Sequence, residues 1–169
     1  VHLAWPLVGN IAFQALVVPL SGEPVLLLRQ LEVTGACAST WLSDIRAWQD
    51  GEDPAQALGA LVAALGLRHV ALERDGWFVS PALAERIAEA LRQVRISDGS
   101  GIVESLRAVK SPAELAAIRR AAGYAQAGMT AALEATREGA RENDVSAAMM
   151  AGAISAGSEA MAMEPLVAS

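Results

Sequence analysis

Leu106-Arg107-Ala108-Val109-Lys110-Ser111-Pro112-Ala113-Glu114-Leu115-Ala116-Ala117-Ile118-Arg119-Arg120-Ala121-Ala122 is the stretch on which the reading of this chain turns. Ser111 is a residue type that caps a helix by accepting from a free backbone N–H. Pro112 fits the first helical position, where its missing N–H costs nothing. Glu114, three residues after Ser111, can reach back to the cap amide. Beyond this start, Leu115, Ile118, Ala122, Ala125, Met129 and Ala132 recur at steps of three and four, with Arg119, Gln126 and Glu134 off the stripe. That period predicts an amphipathic helix running to about Thr136 with the stripe turned inward. A shorter helix is predicted over Ile102–Val109, so Arg107 and Lys110 stand between two helices.

Downstream, Gly139 breaks the pattern and an alanine-rich helix is predicted over Asn143–Ala156, stopped by Gly157. Met161–Ala168 is read as opening a strand. The density of Ala and Gly in these two helices implies close approach of backbones. Upstream, Ser97-Asp98-Gly99-Ser100-Gly101 is read as a linker. Before it, strand and helix signals alternate. Phe13–Val18 and Val25–Leu28 are apolar runs separated by Ser21-Gly22-Glu23-Pro24 and read as an antiparallel hairpin. Glu32–Leu42 reads as helical and Ile45–Trp48 as a short strand. Asp53-Pro54-Ala55-Gln56 starts a helix with Leu58, Leu61, Val62 and Leu65 on one face, ended by Gly66. Val70–Glu73 reads as a buried strand. Ser80-Pro81 starts a helix with Leu83, Ile87 and Leu91 inward, and Val94–Ile96 is a further strand. Alternation of this kind predicts an α/β layer structure, with a mixed sheet because it includes a hairpin.

Composition narrows the function classes. The chain has 169 residues, a formal net charge of −6, 53% hydrophobic and 19% charged residues. That composition excludes long disorder. A pI near 4.9 argues against a nucleic-acid partner, which needs clustered Lys and Arg. No apolar run reaches the roughly 20 residues a membrane span requires, so no membrane partner is expected. Cys37 is the one cysteine, which excludes an internal disulfide and suits a cytoplasmic protein. The chain begins with Val1 and ends within an apolar stretch at Pro165-Leu166-Val167-Ala168-Ser169, so it is expected to be part of something longer.

Side-chain constellations are sparse. His2 and His69 have no His, Asp or Glu partner at helical metal spacing and read as structural or surface residues. Asp50-Gly51-Glu52-Asp53 lacks the alternate ligand spacing of a calcium loop and reads as a solvated turn leading into a helix cap. The glycine-rich turn before Ile102 could in principle cradle a phosphate, but no Lys-Ser/Thr pair follows it. No nucleophile elbow occurs, and Cys37 among small residues reads as a buried hydrophobe. Trp5, Trp41, Trp48 and Trp77 all lie in the first half and read as core residues, with a recognition or dimer surface as the second option. The residues alone therefore yield an α/β domain, a hinge and the helical start of a second domain, with no catalytic set.

The opening stretch resembles the junction of the creatinase/prolidase family of metallohydrolases, the Xaa-Pro aminopeptidase-like "pita-bread" proteins. There an Arg-x-x-Lys-Ser-Pro-x-Glu-Leu segment opens the catalytic domain, and here Arg107, Lys110, Ser111, Pro112, Glu114 and Leu115 take those places. Gly139-Ala140-Arg141-Glu142-Asn143-Asp144-Val145 is similar to the family's second helix start, with Arg141 where the family places Thr or Ser, so that this cap is expected to be lost. Glu159–Ser169 looks like the first catalytic-domain strand. Ala15–Pro19, Gly22–Val25, Glu32 and Asp98–Glu104 are similar to the N-terminal hairpin and linker.

The resemblance implies a mixed β-sheet flanked by helices, of the ribonuclease-H-like type, followed by the first helices of a pita-bread domain. It implies an N-terminal domain over 1–98 lacking its start, a linker and junction helix over 99–110, and a truncated catalytic domain over 111–169. It further implies a parent that cleaves an X-Pro peptide bond, or a related C–N bond in a small creatine- or ectoine-like substrate; a lyase branch also exists. Such a parent holds two divalent metal ions, of the Mn, Zn or Co type, on two Asp, one His and two Glu, and these activate a bridging water. None of those ligands maps onto this chain, and Glu159 and Glu164 do not match them. The chain alone is thus expected to hold no cofactor and to be inactive. Carried over are structural roles: Arg107 and Lys110, with Ser111 and Glu114, at the domain junction, a homodimer, and Trp5 near the substrate mouth or dimer contact. The alternative is a metal-free binding or dimerisation module of the same fold.

Overall fold

The computed structural model describes residues 12–75 and 79–168. The chain divides into two compact units, 1–104 and 105–169.

In the first unit, β1 (Ala15–Val17) pairs antiparallel with β2 (Val25–Arg29), in the register Ala15 opposite Leu27 and Val17 opposite Val25. A 3-10 turn (Gln30–Glu32) and α1 (Val33–Ser39) lead to β3 (Asp44–Trp48), which runs parallel to β2. These strands form a three-stranded mixed sheet ordered β1-β2-β3. Then come α2 (Pro54–Ala64), β4 (His69–Leu72), α3 (Pro81–Ala90) and β5 (Arg95–Asp98). β4 and β5 form a parallel pair of their own. A mixed α/β architecture is thus present, with its strands in two hydrogen-bonded sets.

The layering follows from β2. Val25, Leu26, Leu27 and Leu28 are each at most 3% exposed. Because successive strand side chains point to opposite faces, Val25 and Leu27 enter the larger core with Leu58, Leu61 and Val62 of α2 and Ile87 of α3, together with Leu91. Leu26 and Leu28 enter a smaller core with Leu42, against which Val33 and Ala36 of α1 pack. A strand buried on both faces must be apolar throughout, and each such leucine contributes roughly 1.5–3 kcal/mol. Trp48 joins the larger core, and its indole N–H donates to the Phe13 carbonyl at 3.2 Å.

Local punctuation sets the helix ends. The Asp53 carboxylate accepts from Ala55 N at 3.0 Å to cap α2, while Gln56 is exposed and makes no reciprocal bond. Gly66 (φ +65°) closes α2: its N–H reaches Ala63 O and that of Leu67 reaches Val62 O, a left-handed turn that glycine adopts without strain. The Ser80 hydroxyl accepts from Leu83 N to cap α3. One expectation needs correction: the strand near Val70 is not buried throughout. Only alternate residues of β4, Val70 and Leu72, reach the core, and both are half-buried.

α4 (Ile102–Ala108) straddles the point where the units divide. The second unit is dominated by α5 (Pro112–Ala135) and α6 (Glu142–Ser155), packed side by side. Their contact is made by small residues. A Cβ added to Gly152 would stand 2.8 Å from Ala131 Cβ and 3.0 Å from Ala127 O, and one on Gly128 would stand 2.9 Å from Met149 O. This corrects the stripe expected to turn inward. Gly128 and Ala132 are buried, whereas Leu115, Ile118 and Met129 are 39%, 51% and 51% exposed. The backbones come close only where side chains are absent, so the glycines set the contact face and the larger apolar residues lie to one side. Residues 161–168 form no strand and run as irregular chain.

Candidate functional site

The junction predicted from the 106–122 stretch assembles around the start of α5. Arg107 lies in the last turn of α4, where a cation suits the negative end of the helix dipole. The Lys110 ammonium donates to the Ala108 carbonyl at 3.1 Å. Ser111 and Glu114 then close a reciprocal box. Glu114 N donates to the Ser111 hydroxyl at 3.3 Å, and Ser111 N donates to a Glu114 carboxylate oxygen at 2.7 Å. The Ser111 side chain, then its amide, holds the Glu114 carboxyl below its ordinary range, with Lys110 adding a smaller pull in the same direction. Lys110, Ser111 and Glu114 therefore form one local cluster, while Arg107 has no ion pair among the described residues. Its chemistry is that of a clasp: it fixes the start of α5, and none of its groups is a nucleophile set beside a base. Trp5 lies outside the described residues.

The helix start at Arg141 departs from the same logic. Arginine has only donors, so it cannot accept from the helix amides, and no side-chain cap bond is made. Asp144 supplies the other half of the box. Its carboxylate accepts from Arg141 N at 3.2 Å and from the guanidinium at 2.7 and 3.0 Å. Arg141, by its side chain first and its amide second, lowers the Asp144 carboxyl from 3.8 to about 2.

The glycine-rich turn is built differently from a linker or a phosphate cradle. Ser97 and Asp98 belong to β5, and Gly99 N extends the ladder to Leu72 O at 2.8 Å. The Ser100 hydroxyl accepts from Arg74 N and Asp75 N at 3.0 and 3.1 Å, and Ser100 N donates to Asp98 at 2.9 Å. The Ser100 hydroxyl and amide hold the Asp98 carboxyl below its usual range. These donors are spent within the protein, which leaves a latch between two loops. The acidic turn is spent likewise: Asp50 pairs with Arg29, Glu52 accepts from Gln49 N, and Asp53 caps α2 and meets Arg86 at 3.3 Å. Sequence reasoning missed the Arg29–Asp50 pair and the Ser100 latch. Their partners stand 21 and 25–26 residues apart, so no local signal could have shown them.

The remaining candidates do not form a reaction centre. His69 Nε2 lies 3.0 Å from the Ser97 hydroxyl on the neighbouring strand, at the surface, with no third side chain bonded to the ring among the described residues. Cys37 is exposed, contrary to its expected burial. An open depression of about 270 Å³ is lined by Leu27, Arg46, Ala47 and four α2 residues. Its one charge, Arg46, is already held by both oxygens of Asp44 at 2.8 Å. Among the described residues no three His, Cys, Asp or Glu side chains cluster closely enough to hold a metal ion. None of their helices is long and apolar enough to cross a membrane.

A strand-helix unit built on a doubly buried β2, followed by a capped start into paired helices, makes this a mixed α/β protein. The family described as Creatinase/Prolidase N-terminal domain matches residues 10–109, and the chain belongs to it. Among solved structures, the X-Pro aminopeptidase from Thermotoga maritima MSB8 shares 22% identity over 84% of this chain and 39% of its own, with a TM-score of 0.69. The Xaa-Pro dipeptidase from Bacillus anthracis shares 20% over 89% of this chain and 41% of its own, with a TM-score of 0.71. The dipeptidase PepE from Mycobacterium ulcerans shares 27% over 87% and 39%, with a TM-score of 0.56. The chain thus spans about two-fifths of the length of these three solved proteins. No curated protein matches it.

Proposed function

We propose that this chain is the N-terminal part of a metal-dependent hydrolase that cleaves an X-Pro peptide bond or a related C–N bond in a small substrate. The observation that carries this reading is the family match over residues 10–109. The solved proteins of like fold add to it, being an X-Pro aminopeptidase, an Xaa-Pro dipeptidase and a prolidase by name. The described residues do not fit a metal pair, since no cluster of three ligating side chains exists among them. The two divalent ions of such an enzyme would rest on residues that these are not, and no catalytic step is assigned to this chain. Its role in the proposal is architectural: the first unit supplies an α/β body, the 107–114 clasp starts the next domain, and the whole enzyme is a cytoplasmic homodimer. Metal analysis of the purified 169-residue chain after incubation with Mn²⁺, Zn²⁺ or Co²⁺ tests the division of labour. Less than a tenth of an equivalent retained after gel filtration is expected; one or two tightly held equivalents would overturn it.

A further inference from the structure

We draw no further inference here: the strongest candidate, the apolar stripe of Leu115, Ile118, Met129 and Leu133 exposed along α5, carries nothing because nothing in the structure shows what covers it.

Discussion

Ser111 concentrates the behaviour of its segment in one hydroxyl. It satisfies an amide that the helix itself cannot, and its own amide is satisfied by Glu114. Replacing Ser111 by Ala removes one half of the box and should cost about 1 kcal/mol, read as a lower urea midpoint for loss of far-ultraviolet helical signal; Ser111→Asp, which can still cap, should recover most of it. Asp144 makes a prediction in pH. Its carboxyl is lowered from 3.8 to about 2 by Arg141, so the folded state binds its proton less readily than the unfolded chain. The contribution of the pair is complete above pH 3.8 and is lost as pH falls through about 2. A side-chain NMR titration should find the Asp144 midpoint near 2, and Asp144→Asn should remove this pair's share of the pH dependence of stability in that window while leaving that of the other lowered carboxyls. A midpoint at the ordinary aspartate value would show that the Arg141 contact does not persist in solution.

At the scale of elements, helix ends were legible, and so were the inward faces of α2 and α3, whereas the contact face of α5 was not. Asp53-Pro54, Ser80-Pro81 and Ser111-Pro112 each mark a start because capping is decided within four residues. The contact face of α5 depends on a partner helix: the density of Ala and Gly announced a close approach, but period alone placed the face on the stripe from Leu115 to Ala132, of which Leu115, Ile118 and Met129 stay exposed. The structure assigns it to Gly128, Ala131 and Ala132, against Gly152 and Ala153. A prediction separates the two accounts. Gly152→Ala places a methyl 2.8 Å from Ala131 Cβ and 3.0 Å from a backbone oxygen, and should destabilise the helix pair by roughly 1–3 kcal/mol. Gly123→Ala meets nothing within 4 Å and should stabilise by about 0.5–1 kcal/mol through helix propensity. Opposite shifts in thermal midpoint are expected; equal shifts would mean that the helices do not meet at Gly152. The division of the strands into two sets was likewise invisible, because pairing joins residues such as Val70 and Ile96 that no local pattern connects. So was the irregular course of 161–168, whose apolar residues resemble a strand while no ladder partner pairs with them.

At the scale of the whole molecule, the family was legible because its junction is written in contiguous residues. Arg107, Lys110, Ser111, Pro112 and Glu114 lie within eight positions, and the local cluster formed by Lys110, Ser111 and Glu114 is what their spacing allows. The reaction was not legible in the same way. Five of the 19 carboxylates, Asp44, Asp50, Asp53, Glu114 and Asp144, are committed to caps and surface pairs. A group already bound to its own backbone or to an arginine is a poor ligand for a second cation. Family membership and the absence of a ligating cluster among the described residues are therefore compatible, and both follow if this chain serves as scaffold for a catalytic domain. The most direct measurement is release of proline from X-Pro dipeptides, with and without added Mn²⁺ or Co²⁺, by the polypeptide its gene encodes and by the 169-residue chain side by side. The account predicts metal-dependent release by the encoded polypeptide and none by the 169-residue chain. Metal-dependent release by the 169-residue chain itself, or an encoded polypeptide that binds no metal and cleaves neither X-Pro nor creatine-type C–N bonds, would contradict it.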